Sequence, residues 1–183
     1  MNAKSDKYIK ENEMKIGTPI PNVIFKTRLR DEAIGGENPY RWCDQTSKDV
    51  FAGKRALVIG LPGAFTPTCS NRQLPAFDEM ADVFKDQGIG TIYCVSVNDA
   101  FVMKQWADHL GLANIKMIPD GSGDFTRRLG MLVRKDNLGF GLRSWRYAAV
   151  VQDGIIEGWF EEDGICDNAP GDPYEASTPD AVL

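Results

Sequence analysis

Alternating apolar and polar runs along the chain predict an α/β architecture with a sheet at its centre. Short runs rich in β-branched residues indicate strands buried on both faces, and each is followed by apolar residues at helical spacing. The strand runs lie at 55–61, 91–97 and 115–118, and the helical segments lie at about 70–87, 99–110 and 123–130. This order predicts parallel strands that are joined by right-handed crossovers.

The pattern changes in the last part of the chain. Two strand patterns, at 146–151 and 155–161, flank Asp153 and Gly154, and Asp-Gly between strands is a strong signal for a β-hairpin. A last helix is expected to begin just before Pro179, which would lie in its first turn. Parallel strands followed by a hairpin and a closing helix are typical of a thioredoxin-like fold.

The N-terminal part of the chain carries weaker signals. Residues 20–27 predict an early strand, and residues 28–49, rich in Gly, Asn and charge, predict a peripheral excursion. Residues 1–15 are polar and mix Lys with Asp and Glu, so they lack the apolar core of a signal peptide and the acid-poor character of a transit peptide. We therefore expect a solvated N-terminal arm over 1–15, one domain over 16–183 and a cytoplasmic protein.

Size and charge narrow the classes of protein that fit. The chain has 183 residues, of which 43% are hydrophobic, and one domain of this size buries about 70% of the surface that its unfolded form exposes. No apolar run approaches the length of a membrane span. The net charge is −5, and Lys and Arg are scattered, so no basic patch indicates nucleic-acid binding.

Cys69 is the strongest candidate for chemistry in this sequence. It follows a loop with Gly and Pro, between the strand at 55–61 and the helix that begins near Ser70, where ligands bind in open α/β sheets. A thiol in the first turn of a helix lies beside unpaired backbone N–H groups and the positive end of the helix dipole. Both favour the thiolate, which is the reactive form of cysteine.

The other cysteines and the single histidine carry weaker signals. Cys94 lies inside an apolar strand and is expected to be structural, and Cys43 lies in a polar stretch with no predicted chemical role. No Cys-x-x-Cys pair occurs, which argues against a thioredoxin-type dithiol exchanger and a zinc knuckle. A cysteine hydrolase would need His109 as a base, but this residue precedes Gly111 at a predicted helix end, where its positive charge is favourable.

The residues around Cys69 resemble the active-site motif of the peroxiredoxins. Pro62, Thr66 and Cys69 match its spacing, and the longer string GAFTPTCS resembles the type-II, or peroxiredoxin-five-like, subfamily. Further runs that resemble this subfamily, in the expected order, are VSVNDAFV at 95–102, PDG at 119–121, and RY followed by VVQDG within 146–154. The resemblance covers about residues 16–183 and implies a thioredoxin-like fold with peroxiredoxin insertions, in which helices flank a central mixed sheet.

The resemblance implies a thiol-dependent peroxidase that acts on hydrogen peroxide and organic hydroperoxides. The Cys69 thiolate would attack the peroxide and become a sulfenic acid, while the Thr66 hydroxyl and the Arg146 guanidinium would hold the oxygens. Pro62 would shield the sulfur from water, and no metal or organic cofactor is required. The residues alone leave simpler alternatives open, namely a turn or cap role for Thr66 and a surface basic cluster of Arg146 with Arg143.

Two residues of the following helix bear on the geometry of this site. Gln73 stands where many members of the subfamily have a histidine, so a side-chain donor is retained but titration at this position is lost. Pro75 removes a backbone hydrogen bond and should kink the helix. We expect the first turn to take its own geometry around the sulfur.

The sulfenic acid must be reduced again, and two routes are open. An external thiol such as glutathione, often delivered with glutaredoxin, can attack Cys69, or Cys166 can act as a resolving cysteine with thioredoxin as reductant. Cys166 lies roughly where some members of the subfamily keep a resolving cysteine, but acidic neighbours disfavour its thiolate. We therefore expect the external route. The resemblance also implies a homodimer.

Two other functions remain open from the sequence. A thiol-disulfide oxidoreductase would reduce disulfides, but no second thiol stands near Cys69 in the chain to complete its cycle. A thioredoxin-like interaction or holdase module would use the fold without the redox chemistry. Oxidation of the thiolate by equimolar peroxide distinguishes all three functions.

Overall fold

The computed structural model describes residues 15–183, in which strands and helices alternate along most of the chain. The strands are β1 (Ile24–Arg30), β2 (Tyr40–Thr46), β3 (Arg55–Gly60), β4 (Thr91–Ser96), β5 (Ile115–Pro119), β6 (Leu132–Arg134), β7 (Leu142–Ser144), β8 (Tyr147–Gln152) and β9 (Ile155–Glu161). The helices are α1 (Ser47–Phe51), α2 (Leu74–Glu79), α3 (Ala81–Asp86), α4 (Ala100–Leu110), α5 (Asp124–Arg128) and α6 (Pro179–Val182), with a π-helical turn at Cys69–Gln73 and a 3₁₀ turn at Asp136–Leu138. None of the helices in this part of the chain is long and apolar enough to cross a membrane.

A five-stranded mixed sheet lies at the centre, in the order β5-β4-β3-β8-β9. Strands β3, β4 and β5 are parallel, whereas β8 is antiparallel to both β3 and β9. The predicted mixed sheet is confirmed, and so is the hairpin of β8 and β9. Asp153 and Gly154 form its turn with φ values of 48° and 78°, and a type I′ turn requires positive φ at both positions.

Side chains alternate between the two faces of the sheet, and each face has its own core. In β3, Leu57 and Ile59 belong to the core that includes residues of α2, α3 and α4, while Ala56 and Val58 belong to the core on the opposite face. At the end of this strand a Cβ on Gly60 would lie 1.9 Å from the ring of Tyr147. Glycine is therefore required where β3 leaves the sheet.

Residues 28–49 lie outside the central sheet, as expected of a peripheral excursion, but they form most of an antiparallel hairpin that was not predicted. β1 pairs with β2, with Ile24 opposite Thr46, and it begins later than predicted. Both strands are exposed along much of their length, so they lack the apolar alternation from which strands are predicted. The sequence does not predict the pair β6 and β7 either, because strands of three residues are too short to show a period.

The helix predicted over 70–87 is divided into three segments. The π-helical turn leads into α2, and Met80, with φ −92° and ψ 10°, separates α2 from α3. Pro75 accounts for the first irregularity, because it has no N–H for a regular ladder, and the ladder widens to a bond from the Leu74 N–H to the Cys69 carbonyl. The expected kink therefore takes the form of a π-helical turn that begins at the candidate cysteine.

The predicted solvated arm falls mainly on residues 1–14, which lie outside the described residues. Lys15, its last residue, is packed against the hairpin of β8 and β9. Its Nζ donates to the Leu129 carbonyl at 3.1 Å and lies 3.5 Å from Glu161 Oε2 and 4.1 Å from the ring centre of Trp159. Lys15 therefore belongs to the folded part of the chain.

Candidate active site

Cys69 lies in the first turn of helix after β3, and its side chain is completely buried. The helical turn begins at Pro67, and its first backbone hydrogen bond runs from the Ser70 N–H to the Thr66 carbonyl at 3.0 Å. The N–H groups of Thr68 and Cys69 precede that bond, so the helical ladder does not use them. The sulfur is thus buried beside the positive end of a helical turn.

Arg146 brings a guanidinium into contact with the buried sulfur. The residue directly precedes β8, and its side chain is only 1% exposed. Nη1 donates to Cys69 Sγ at 3.4 Å and also to Gln73 Oε1. This burial excludes a surface basic cluster as the role of Arg146.

Gln73 is buried one helical turn after Cys69, beside the same guanidinium. Its Oε1 accepts a hydrogen bond from Arg146, whereas its Nε2 has no hydrogen-bond partner among the described residues. Buried side-chain N–H groups are nearly always paired. The amide therefore offers an unused donor inside the site, in keeping with the donor expected at this position.

Three consecutive residues of the C-terminal segment close over Arg146. Its Nη2 donates to Asp172 Oδ1 at 2.6 Å, and its Nε donates to the Pro173 carbonyl at 2.9 Å. The ring centre of Tyr174 lies 5.5 Å from the guanidinium carbon, within the range of a cation–π contact. The guanidinium is therefore fixed from the C-terminal side as well as from the helix.

Glu162 anchors this C-terminal segment. Its buried carboxylate accepts the N–H groups of Glu175, Ala176 and Ser177 at distances between 2.8 and 3.2 Å, and the Ser177 hydroxyl at 2.7 Å. The Glu162 N–H donates to the Arg146 carbonyl at 3.1 Å. No local pattern in the sequence marks this anchor or the residues over Arg146, since these contacts join residues that are far apart in the chain.

Charges of both signs and unused donors meet at this buried site. Burial acts to lower the pKa of Arg146, but the Cys69 thiolate and the Asp172 carboxylate outweigh it and raise the pKa above its usual value. Burial raises the pKa of Tyr174 to about 12, so its hydroxyl stays protonated. That hydroxyl, like the Gln73 amide, has no hydrogen-bond partner among the described residues.

The loop between β3 and Cys69 contains a strained turn. Phe65 has a φ of 61°, which is uncommon for a residue other than glycine, and its side chain is 52% exposed. Pro62 is buried at the start of the loop. Thr66 Oγ1 donates to the Gly63 carbonyl at 2.8 Å, and this hydrogen bond stabilises the turn of the loop. The roles of Pro62 and Thr66 toward a peroxide stay predictions.

The other three cysteines differ from Cys69 in their surroundings, and all are free thiols. Cys94 is buried in β4, where burial and then the negative charge of Cys69 raise its pKa well above the usual value. Cys43 lies in β2, opposite Thr27 of the exposed hairpin. Cys166 is exposed in the loop after β9.

His109 lies exposed at the end of α4, where Gly111 has a φ of 64° and ends the helix as predicted. Its ring contacts that of Phe65, with 5.7 Å between the ring centres. No hydrogen bond joins His109 to Cys69 among the described residues, so the pair that a cysteine hydrolase needs is not formed.

Within residues 15–183, no group of His, Cys, Asp and Glu side chains is placed to hold a metal ion.

Several known proteins are similar to this chain in sequence and in fold. The redoxin family model matches residues 39–170. A peroxiredoxin from Rhizobium etli is 59% identical over 170 residues, which are 93% of this chain and 95% of that protein. The solved structure of the Plasmodium falciparum antioxidant protein, a 1-Cys peroxiredoxin, has a TM-score of 0.84 at 35% identity and covers 91% of this chain and 96% of its own. Peroxiredoxin 5 from Alvinella pompejana has a TM-score of 0.69 at 31% identity, over 83% of this chain and 92% of its own. The chain therefore belongs to the peroxiredoxins of the redoxin superfamily, which are thiol peroxidases that take peroxides as substrates and a thiol as reductant.

Proposed function

We propose that Cys69 is the peroxidatic cysteine of this peroxiredoxin and that Arg146 holds both its thiolate and the peroxide. The observation that carries this proposal is the 3.4 Å contact between Arg146 Nη1 and Cys69 Sγ inside a buried site. A guanidinium is planar and permanently charged. It can therefore stabilise the thiolate before the reaction and the oxygen charge that develops during it.

The proposed reaction is an in-line attack on the O–O bond of the peroxide. A bond forms between sulfur and one oxygen, the O–O bond breaks, and the other oxygen leaves as hydroxide or alkoxide and takes up a proton. Cys69 becomes a sulfenic acid, and the peroxide becomes water or an alcohol. Donors in the buried site are Arg146 Nη1, which already contacts the sulfur, and the unused Gln73 Nε2.

Thr66 and Pro62 complete the proposed site. The Thr66 hydroxyl would turn from the Gly63 carbonyl to the peroxide oxygen when substrate enters, a rotation about one side-chain bond. Pro62 would exclude water from the sulfur at the start of the loop, and it is itself buried. Both assignments rest on the match of these residues to the peroxiredoxin motif.

The proposed reductant is an external thiol such as glutathione, delivered with glutaredoxin. Supporting this, Cys166 is exposed while Cys69 is completely buried. The loop that carries Cys166 is tied to β6, since Asp167 Oδ1 accepts from the Arg134 N–H and the Asn168 N–H donates to the Arg134 carbonyl, both at 2.7 Å. A disulfide would require Cα atoms within about 7 Å.

The external route has two balanced steps. A first thiol attacks the sulfenic sulfur of Cys69, releasing water and leaving a mixed disulfide. A second thiol attacks the outer sulfur of that mixed disulfide, so that a small-molecule disulfide leaves and the Cys69 thiolate is restored. The peroxide is thus reduced by two electrons, and two thiols are oxidised to one disulfide.

Stopped-flow oxidation of the reduced protein by equimolar hydrogen peroxide tests the assignment of Cys69. Cys69→Ser should abolish peroxide consumption, whereas Cys43→Ser and Cys94→Ala should keep most of it. A residual rate above about a tenth of the parent rate in Cys69→Ser would contradict the assignment. A disulfide oxidoreductase would instead reduce insulin without peroxide, and a holdase would suppress aggregation equally well as Cys69→Ser.

We also propose a homodimer that covers the exposed Phe65 side chain, since large exposed apolar groups often lie at interfaces. Light scattering at micromolar concentration tests this, and a monomer mass in both the reduced and the oxidised protein would refute it. A cytoplasmic location stays a prediction.

A further inference from the structure

A second guanidinium, that of Arg143, lies against the loop that precedes Cys69. Its Nη1 donates to Asn98 Oδ1 at 3.3 Å, and its Nε donates to the Phe140 carbonyl at 3.1 Å. Asn98 Oδ1 also accepts the Ala64 N–H at 3.0 Å. One amide oxygen therefore ties the guanidinium to the backbone of the loop.

The position of Arg143 is shaped by its neighbours. A Cβ on Gly63 would lie 2.6 Å from Arg143 Nη1, so a side chain at this position would displace the guanidinium. Ser96 Oγ donates to Asn98 Oδ1 at 2.8 Å, which orients the amide. The half-buried guanidinium is thus fixed beside the loop by its hydrogen bonds and by the space that Gly63 leaves.

The Arg143 guanidinium has no carboxylate partner among the described residues, although most other arginines there do. Among the described residues its Nη1 uses one of its two N–H groups and its Nη2 uses neither, so the fork formed by Nη1 and Nη2 keeps an N–H for each oxygen of a carboxylate and remains open. Burial lowers the pKa of Arg143, whereas the nearby Cys69 thiolate acts in the opposite direction. A partly buried charge without a carboxylate partner is costly, which indicates a place for an anion beside the loop that precedes Cys69.

We propose that Arg143 binds the carboxylate of a reactant whose reactive atom meets Cys69, an inference that rests on the proposed function of Cys69. The open fork matches the two oxygens of a carboxylate. The carboxylate can belong to a hydroperoxide of a carboxylic acid in the oxidation step or to an acidic thiol such as glutathione in the reduction step. Arg146 is less suited to this task, because its Nη1 already donates to both Cys69 and Gln73 and its Nη2 is paired with Asp172.

Alkylation of Cys69 tests the anion site without using peroxide. All variants carry Cys43→Ser and Cys166→Ser, and mass spectrometry follows the reaction of Cys69 with iodoacetate and with iodoacetamide, which differ by one carboxylate. The readout is the ratio of the two rates. We expect Arg143→Gln to lower this ratio by about tenfold, the effect of one charge-assisted contact. Arg143→Lys, which keeps the charge but loses the fork, should give an intermediate ratio.

Arg72→Gln is the matched control for general electrostatics. Arg72 is exposed and lies over the ring of Tyr174, with 5.2 Å from its guanidinium carbon to the ring centre, so it places a positive charge near the site but away from Asn98 and the loop that Arg143 contacts. Its ratio should change by less than about twofold. An unchanged ratio in Arg143→Gln, or an equal fall in Arg72→Gln, would overturn the proposal.

Two further arms identify the source of the carboxylate. The first compares oxidation of Cys69 by a hydroperoxy fatty acid and by its methyl ester. The second compares reduction of the Cys69 sulfenic acid by glutathione and by glutathione dimethyl ester. A preference for the acid in one arm that disappears in Arg143→Gln assigns the ligand, and no preference in either arm of the parent overturns the proposal. Hydrogen peroxide has no carboxylate. Failure of the parent protein to react with it would therefore contradict the proposed function of Cys69 and would not test the Arg143 site.

Discussion

Arg146 Nη2 donates to Asp172 Oδ1 at 2.6 Å, on the same guanidinium whose Nη1 contacts Cys69 Sγ. The side chain of Arg146 is 1% exposed, whereas that of Asp172 is 41% exposed. The carboxylate therefore compensates a buried positive charge from the edge of the solvent. Because the guanidinium charge is delocalised, Asp172 also reduces the positive potential that reaches the sulfur.

Asp172→Asn should distinguish two roles of Asp172, which are to hold the Arg146 guanidinium in place and to compensate its positive charge. Asparagine keeps an oxygen that accepts from Nη2 but removes the negative charge. The Cys69 thiolate should then be stabilised more strongly, because no carboxylate offsets the guanidinium charge that acts on the sulfur. Loss of the charged partner should lower the free energy of unfolding by about 1–3 kcal/mol. Thiolate absorbance against pH and urea unfolding measure the two effects.

Asp124→Asn is the control for this change, because Asp124 pairs with Arg127 and Arg128, which are exposed on α5. It should leave thiolate formation unaltered. If Asp172→Asn moved thiolate formation to a higher pH, Asp172 would act mainly by holding the guanidinium in place, and the compensating role would be wrong.

Arg146→Gln should slow the oxidation of Cys69 by peroxide by about 100-fold or more, since it removes a charged donor from the reacting atoms. Arg146→Lys should not restore the rate. One ammonium group cannot reproduce the planar contacts to Cys69, Gln73 and Asp172 together. Stopped-flow fluorescence under pseudo-first-order conditions gives the rate constants.

Arg128→Gln is the control for Arg146→Gln, because it removes an exposed guanidinium. In this variant peroxide should oxidise Cys69 at the parent rate. Circular dichroism shows whether each variant is folded. A folded Arg146→Lys protein with the parent rate constant would show that charge alone suffices and that the fork is not required.

Local signals made one half of this site predictable. The apolar run of β3, the loop with Gly and Pro and the apolar spacing after Ser70 place Cys69 at the start of a helical turn from neighbouring residues alone. The Asp153-Gly154 turn likewise fixes the hairpin, and with it the place of Arg146 before β8. Such signals succeed because turn chemistry and apolar period are short-range properties.

The other half of the site depends on the chain folding back on itself. Asp172, Tyr174 and Glu162 show no pattern of their own, and their contacts to Arg146 or to the C-terminal segment exist only in the folded protein. Pro75 predicted an irregular helix, but the sequence did not specify a π-helical turn, since the missing N–H can be accommodated in several ways. Contacts between distant parts of the chain therefore determine these features, which local sequence patterns do not specify.

Tyr147→Phe should not destabilise the protein at neutral pH, although it alters a completely buried residue. The Tyr147 hydroxyl has no hydrogen-bond partner among the described residues, so its removal should leave the free energy of unfolding unchanged or raise it by about 1 kcal/mol. Tyr93→Phe is the matched control, because the Tyr93 hydroxyl donates to the Val50 carbonyl at 3.1 Å. Its loss should cost about 1 kcal/mol. A greater loss in Tyr147→Phe would show that the hydroxyl is satisfied.

The same variant should change the response to alkaline pH. Burial raises the pKa of Tyr147, so the folded protein keeps the proton while the unfolded chain loses it from about pH 10. The unfolded state then binds fewer protons, and stability falls as pH rises. Urea unfolding between neutral pH and alkaline pH should show a shallower loss in Tyr147→Phe than in the parent. Parallel curves would contradict the raised pKa.

Cys166→Ser should turn over peroxide normally when glutathione and glutaredoxin supply the electrons. One equivalent of peroxide should leave a sulfenic acid at Cys69 that dimedone traps in both the parent and the variant. The reason is structural: Cys166 lies on an exposed loop tied to Arg134, while Cys69 is buried under Arg146. Peptide mass mapping identifies the oxidised product, and coupled oxidation of NADPH gives the turnover.

Resolution by Cys166 would give a different oxidised product. If Cys166 resolves the sulfenic acid, oxidation should give a Cys69–Cys166 disulfide within one chain or between two, and turnover should be lost in Cys166→Ser. Formation of that bond would require the loop to leave Arg134 and the π-helical turn to expose the sulfur, because a disulfide joins Cα atoms within about 7 Å. Asp167→Ala removes one of the ties and should speed this step only if the disulfide forms. An unchanged dimedone adduct in Asp167→Ala would support the external thiol.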